Sequence, residues 1–453
     1  MREISPLDGR YAKVVGHLGE YFSEHALMQA RCEVELAYLL ALDETKLLPR
    51  LSKAERDRIE RATGALSDEE FSHIKAIEET TQHDVKACEL FLREKLQLAH
   101  PNLIHFGLTS EDVTNLAYGT LLAHYRDREQ LPQLRRLVAQ LVDYADRWAE
   151  VPFPARTHGQ LASPTTFGKE LAVFVARLVR QGQALERFRF RGKFAGATGT
   201  HAALATVFPA NDWMAFSERF VESFGLDPIA CSTQIDDGDG LAEYFGIVSR
   251  VNGILLDLDL DLWEYISRGD VVQAAVSGEV GSSTMPHKVN PIHFENSEGN
   301  LTVSTALLHM LAGKLTQSRM QRDLSGSSVK RTMGVALAHA YLAGEQTLKG
   351  LARVSLDEHA AREEVEAAPE TLTEAYQTVL RAAGLDDPYE KLREATRGRA
   401  LRLEDLHGWV ESLDVPQATK HCLLQLRPSD YVGLSADLCR RVVADARIWL
   451  TAS

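Results

Sequence analysis

The chain has 453 residues, 45% of them hydrophobic and 25% charged, with a net charge of -14. That length can bury large cores and suits about two to four domains of ordinary globular composition. The acidic balance excludes an electrostatic footprint for nucleic acid or an anionic membrane, so an anionic substrate must meet a local group of cations.

Cys32, Cys88, Cys231, Cys422 and Cys439 are scattered and odd in number, with no CxxC pair. They suggest no zinc site and fit a reduced, cytoplasmic setting. Met1–Pro6 has no apolar signal core, and no uninterrupted apolar run is long enough to span a bilayer.

In chain order, residues 1–107 read as an amino-terminal helical domain. It opens on the turn-rich Ser5–Tyr11 and carries short helices over Arg31–Leu42 and Lys53–Leu66. Thr80 and Thr81 ahead of Asp84 and Glu89 predict a helix start, where a carboxylate complements exposed amides; this accounts for Asp84 but not for His83. The run Gly107-Leu108-Thr109-Ser110-Glu111-Asp112 repeats the pattern and predicts a capped helix start.

Residues 108–356 read as a central bundle of long amphipathic helices. Leu134, Leu137, Val138, Leu141, Val142, Ala145 and Trp148 share one helical face. A rod over 114–149 would measure roughly 54 Å, interrupted or bent near Pro132. Further helices are predicted over 163–191, 240–266, 294–317 and 328–353. Leu255–Leu262 alternates like a strand, yet Leu255, Leu258 and Leu262 also share a helical face, and helical neighbours favour helix. Helices this long suggest packing against other copies of the chain. Residues 357–453, broken by Pro369, Pro388, Pro416 and Pro428, read as a small helical domain without an interpretable chemical motif. The expected fold class is therefore all-α.

Chemistry concentrates in a few stretches. Gly281–Pro291, punctuated by glycine and proline, predicts an exposed, movable loop holding hydroxyls, an imidazole, an ammonium and a carboxamide. On composition alone the stretch reads as a polar connector. Arg156–Gln160, bounded by Pro152, Pro154 and Pro164, puts His158 in a loop. Histidine titrates near neutral pH and suits proton transfer, though a loop histidine can also simply bond backbone. Arg319–Arg331 gathers Arg319, Arg322, Lys330 and Arg331 with Ser325, Ser327 and Ser328 around Gly326. Such a group suits a phosphate monoester, the alternative being a solvated basic face.

The run Ser282-Ser283-Thr284-Met285-Pro286-His287-Lys288-Val289-Asn290-Pro291 resembles the signature of the fumarase and aspartase superfamily. Its continuation Ile292–Asn300 is similar to the bacterial adenylosuccinate lyase family in particular. The resemblance implies a long-helix bundle in a cytoplasmic homotetramer, no metal or organic cofactor, and a nucleotide substrate. It implies β-elimination of fumarate from adenylosuccinate, giving AMP, and from the succinyl carboxamide ribotide of purine synthesis. It assigns the base to Ser282 and the acid to His158, within the run Thr157-His158-Gly159-Gln160. Lys288 and Asn290 would stabilise a serine alkoxide and grip the substrate carboxylate, with Asn296 a further contact.

Asp8-Gly9-Arg10-Tyr11 resembles a segment of the family's nucleotide site, which implicates Arg10 and Tyr11. Thr80-Thr81-Gln82-His83-Asp84-Val85 does the same for Gln82, His83 and Asp84, with Gln82 replacing the family's usual residue. His83 stands as an alternative acid or an aid to His158. Thr109 and Ser110 match hydroxyls that meet a substrate carboxylate, Gln234 matches a substrate-contacting glutamine, and Arg322, Ser327 and Arg331 match nucleotide-binding residues. The chain departs from the family at Thr200, where asparagine is usual, and at Asp236–Gly240, where Pro-His-Asp is common. Alternatives are a sibling lyase acting on another N-succinyl compound such as argininosuccinate, or a structural bundle without activity.

Overall fold

The computed structural model describes residues 3–275, 284–285, 287–396 and 401–452. Among these the architecture is all-α, with four two-stranded ladders as its β structure. The chain forms two compact units: residues 1–133, 181–253 and 299–345 make the first, and 134–180, 254–298 and 346–453 the second. The long helices Leu131–Arg147, Phe167–Arg187, Asp239–Arg268, Ile292–Leu315 and Met333–Leu351 each give residues to both.

In the first unit the Glu24–Glu44 helix overruns the predicted Arg31–Leu42 at both ends, and its start is set by Ser23, which caps it by accepting from the Ala26 amide. Met28, Cys32, Leu36 and Leu39 pack with Ile74, Cys88, Phe91 and Leu92 in one buried cluster. Each large side chain there contributes roughly 1.5–3 kcal/mol of burial, which fixes the start of the Asp84–Leu96 helix.

That start differs from the predicted threonine cap. Thr81 ends the Asp68–Thr81 helix, its hydroxyl donating back to the Ile77 carbonyl. Gln82 takes the left-handed conformation (φ 53°) and breaks the helix. His83 then serves as the cap, its Nδ1 accepting from the Lys86 amide at 3.2 Å.

The rod departs from α-helical geometry just ahead of Pro132. The Ser110–Tyr125 helix passes through a π-helical turn, Arg126–Gln130, into Leu131–Arg147. The Leu131 amide bonds back to the Arg126 carbonyl across this wider turn, and Pro132, which has no amide to donate, follows it directly. The predicted 328–353 helix is two helices, Ser325–Lys330 and Met333–Leu351.

In the second unit Leu134, Leu137, Val138, Leu141, Val142, Ala145 and Trp148 are all buried, as their spacing predicts. Leu255, Leu258 and Leu262 are buried while Leu260 is exposed, the outcome of helical rather than alternating periodicity. Asp259 lies buried among them. Its carboxylate accepts from Thr347 Oγ1 at 3.0 Å, and burial pushes the carboxyl up to about 8 against the opposing pull of the Ser297 and Thr347 hydroxyls. Towards the carboxyl end, Leu372, Tyr376, Leu380, Leu406, Val410 and Leu423 close a separate small core.

Candidate active site

Two helix starts and a loop meet in the first unit around a cavity of ≈ 250 Å³. Its lining includes Gln82, His83, Asp84, Ser110, Arg322, Ser327 and Arg331, so three distant stretches singled out in the sequence share one wall. His83 Nε2 lies 3.4 Å from Ser110 Oγ, which links the two helix starts. Asp84 pairs with Arg31 at 2.9 Å and with Arg331 at 3.6 Å. Burial works to raise its carboxyl, but Arg31 and the Val85 amide hold it below the usual carboxylate range.

Thr109 stands at the Ser110–Tyr125 helix start, its amide donating to Asp112 Oδ2 at 2.9 Å. Asp112 also accepts from the Ala195 and Gly196 amides and pairs with Lys193 at 2.6 Å, both side chains being 0% exposed. One buried carboxylate therefore ties the Thr109–Ser110 turn to the loop beginning at Ala195.

Gln234 is held from two directions: its Nε2 donates to the Ala197 carbonyl at 3.0 Å, and its Oε1 accepts from Arg322 at 3.1 Å. Arg322 also donates to Ser327 Oγ at 3.4 Å. The approach of the two loops depends on Gly199, at φ +72°, where a Cβ would lie 2.0 Å from the Ser232 carbonyl oxygen. Thr200 faces Thr198, hydroxyl to hydroxyl at 3.2 Å.

Arg10 is exposed, its guanidinium 6.0 Å from the Tyr11 ring, and neither residue lines the cavity. Arg319 is also exposed. Lys330, the third of the four cations in the Arg319–Arg331 stretch, is buried against Glu111 and Asp236 and is not a free phosphate ligand.

His158, Lys288, Asn290 and Asn296 belong to the second unit. The proline-bounded loop around His158 proves to be a small β-hairpin. Arg156–Thr157 pairs antiparallel with Gln160–Leu161, beyond an outer ladder of Pro152–Phe153 with Thr165–Thr166. His158 and Gly159 form its two-residue tip at φ 54° and 73°, the left-handed backbone that a type I′ turn requires. Phe153 anchors the base, packing on Phe167 and Tyr265 at 4.9 and 5.1 Å between ring centres. The imidazole is thus exposed at the tip of a short hairpin.

Lys288 is exposed, Asn290 half-buried in an irregular stretch, and Asn296 lies in the first turns of the Ile292–Leu315 helix. Ser282 lies outside the described residues. Among those described, no group of three or more His, Cys, Asp or Glu is arranged to hold a metal ion, and no helix is long and apolar enough to cross a membrane.

Sequence reasoning missed Arg31, Glu111 and Tyr118, which line the same cavity. Arg31 did leave a signal: it is a cation within the apolar stripe of its helix, and it is 4% exposed.

Residues 9–304 match the lyase family model, and residues 318–432 match the model of the adenylosuccinate lyase C-terminal region. Among solved structures, the 3-carboxy-cis,cis-muconate lactonizing enzyme of Pseudomonas putida superposes with a TM-score of 0.76 at 23% identity, covering 96% of this chain and 97% of that one. A fumarate lyase from Mesorhizobium gives 0.77 at 18%, covering 95% and 97%. At those identities the likeness concerns the fold alone. The adenylosuccinate lyase of Escherichia coli (strain K12) is 41% identical over 438 residues, 95% of this chain and 96% of the relative. That of Haemophilus influenzae is 40% identical over 447 residues, 97% and 98% respectively. The chain belongs to the adenylosuccinate lyase family.

Proposed function

We propose that this chain is a carbon-nitrogen lyase that cleaves adenylosuccinate to AMP and fumarate, and releases fumarate from the succinyl carboxamide ribotide in the same way. The observation that carries the reading is the first-unit cavity, where Arg322, Ser327 and Arg331 face His83 and Ser110 in a chain of this family. Guanidinium groups and a hydroxyl suit a nucleotide phosphate, which fumarase, aspartase and argininosuccinate chemistry do not need.

Elimination needs three separate services. Ser282 takes the proton from the carbon beside a substrate carboxylate, and the electron pair left behind is held as an enediolate. The carbon–nitrogen bond then breaks, and His158 gives its proton to the leaving nitrogen. A serine is a poor base in water, so closure of its loop must exclude solvent while Lys288 and Asn290 stabilise the alkoxide and the substrate carboxylate. Asn296, Thr109, Ser110 and Gln234 position the succinyl group, and Gln82, His83, Asp84, Arg10 and Tyr11 complete the nucleotide contacts. A cytoplasmic homotetramer, organised along the chain as 1–107, 108–356 and 357–453, would draw these segments from several subunits.

An ultraviolet assay of fumarate release with adenylosuccinate and then argininosuccinate tests the reading. Turnover of the first alone supports it. Turnover of the second alone means a sibling lyase, and no turnover of either means a structural protein.

A further inference from the structure

Lys330 is 8% exposed, yet its ammonium lies 3.1 Å from Glu111 Oε1 and 3.2 Å from Asp236 Oδ2. Glu111 is itself 3% exposed. Glu111 and Lys330 line the cavity themselves, and Asp236 stands near Gln234, which is bonded to the cavity residue Arg322. Glu111 directly follows Ser110, Asp236 is two residues beyond Gln234, and Lys330 lies between Ser327 and Arg331. Further bonds continue the chain of contacts, from His83 to Ser110 at one end and from Gln234 through Arg322 to Ser327 at the other.

Two carboxylates brought this close in a poorly solvated place repel each other unless a cation stands between them. Burial acts against the ammonium, but Asp236 and Glu111 outweigh it and hold the lysine charged, well above its ordinary range. With two carboxylates on it, the ammonium's charge is more than matched.

We propose that Lys330 is a positioning residue for the elimination, its ammonium clamping Glu111 and Asp236 so that Ser110, Gln234 and the Arg322–Arg331 segment keep one binding geometry. This rests on the reading of the cavity as the nucleotide site. The residue meets no reacting atom; without it the carboxylates part, and the side chains beside them lose register with the substrate.

The test is steady-state kinetics on adenylosuccinate with Lys330→Met, Asp236→Asn and the double variant, each first checked for a cooperative melt. Lys330→Met is expected to raise KM about tenfold while kcat changes less than about threefold, the split that marks lost substrate positioning. Asp236→Asn, which leaves the Lys330–Glu111 pair intact, is expected to raise KM about threefold. The double variant should match Lys330→Met alone, because both changes act on one clamp.

KM within about twofold of wild type in a folded Lys330→Met protein, or multiplicative effects in the double variant, would overturn the proposal. If Lys330→Met does not fold, Asp236→Asn alone decides: an unchanged KM overturns the clamp. Absence of turnover in the wild-type enzyme is a separate outcome, which removes the functional reading and the clamp with it.

Discussion

Asp112 offers the sharpest stability experiment. Its carboxylate, 0% exposed, pairs with the equally buried Lys193 at 2.6 Å and accepts from the Thr109, Ala195 and Gly196 amides at 2.9, 3.0 and 3.2 Å. Asp112→Ala strands the Lys193 ammonium on the Gly196 carbonyl alone and leaves the three amides without this acceptor. Breaking one side of a buried ion pair costs about 3–5 kcal/mol. Asp112→Ala should lose at least that in urea unfolding and should raise KM for adenylosuccinate, because Thr109 and Ser110 lose their brace. The double variant Asp112→Ala, Lys193→Met no longer buries an unmatched charge, so it should recover about 2 kcal/mol or more of the loss. Strict additivity of the two single changes would refute the argument that the buried charge dominates.

The same geometry sets other expectations. Ser282→Ala should lower kcat by about a thousandfold or more while adenylosuccinate still binds in calorimetry; near-normal turnover would refute the base assignment. Arg322→Met removes a guanidinium from the cavity and frees Gln234 and Ser327, so KM should rise by a factor equivalent to ~2 kcal/mol, with a weaker dependence on salt. Asp259, pushed by burial up to about 8, binds a proton in the folded state that the unfolded chain has already released above about pH 4. Its contribution is therefore fully present at low pH and is lost as pH rises through about 8, with a slope near 1.4 kcal/mol per pH unit between the two values. Asp259→Asn should flatten that slope in urea titrations from pH 5 to about 8 and leave the variant more stable at the upper end; a slope equal to wild type would contradict the burial argument.

Much of the fold was legible because it depends on local period. The stripes from Leu134 to Trp148 and from Leu255 to Leu262 fall where the helices bury them. Motif chemistry was legible for the same local reason, and His83, Ser110, Arg322 and Arg331 do converge on one cavity. What stayed hidden depends on partners far along the chain. Nothing near Lys330 marks it as the mate of Glu111 and Asp236, so it read as one of four cations grouped for a phosphate or, alternatively, solvated on a basic face. Nothing near Asp259 says that its helix face meets Thr347. The hairpin under His158 was obscured by its shortness, since paired two-residue strands leave no alternation to read. The capping role of His83 was masked by two threonines that supply a more familiar cap and instead finish the preceding helix.

The central claim is that Ser282 moves the proton beside the carboxylate while the carbon–nitrogen bond breaks or forms. Running the reaction backwards from AMP and fumarate in heavy water, with mass spectrometry of the adenylosuccinate formed, measures this directly. The wild-type enzyme is expected to place one deuterium on the succinyl carbon, and Ser282→Ala is expected to form no labelled product over the same time. Unlabelled adenylosuccinate from the wild type, or labelled product from Ser282→Ala at the wild-type rate, would contradict the account.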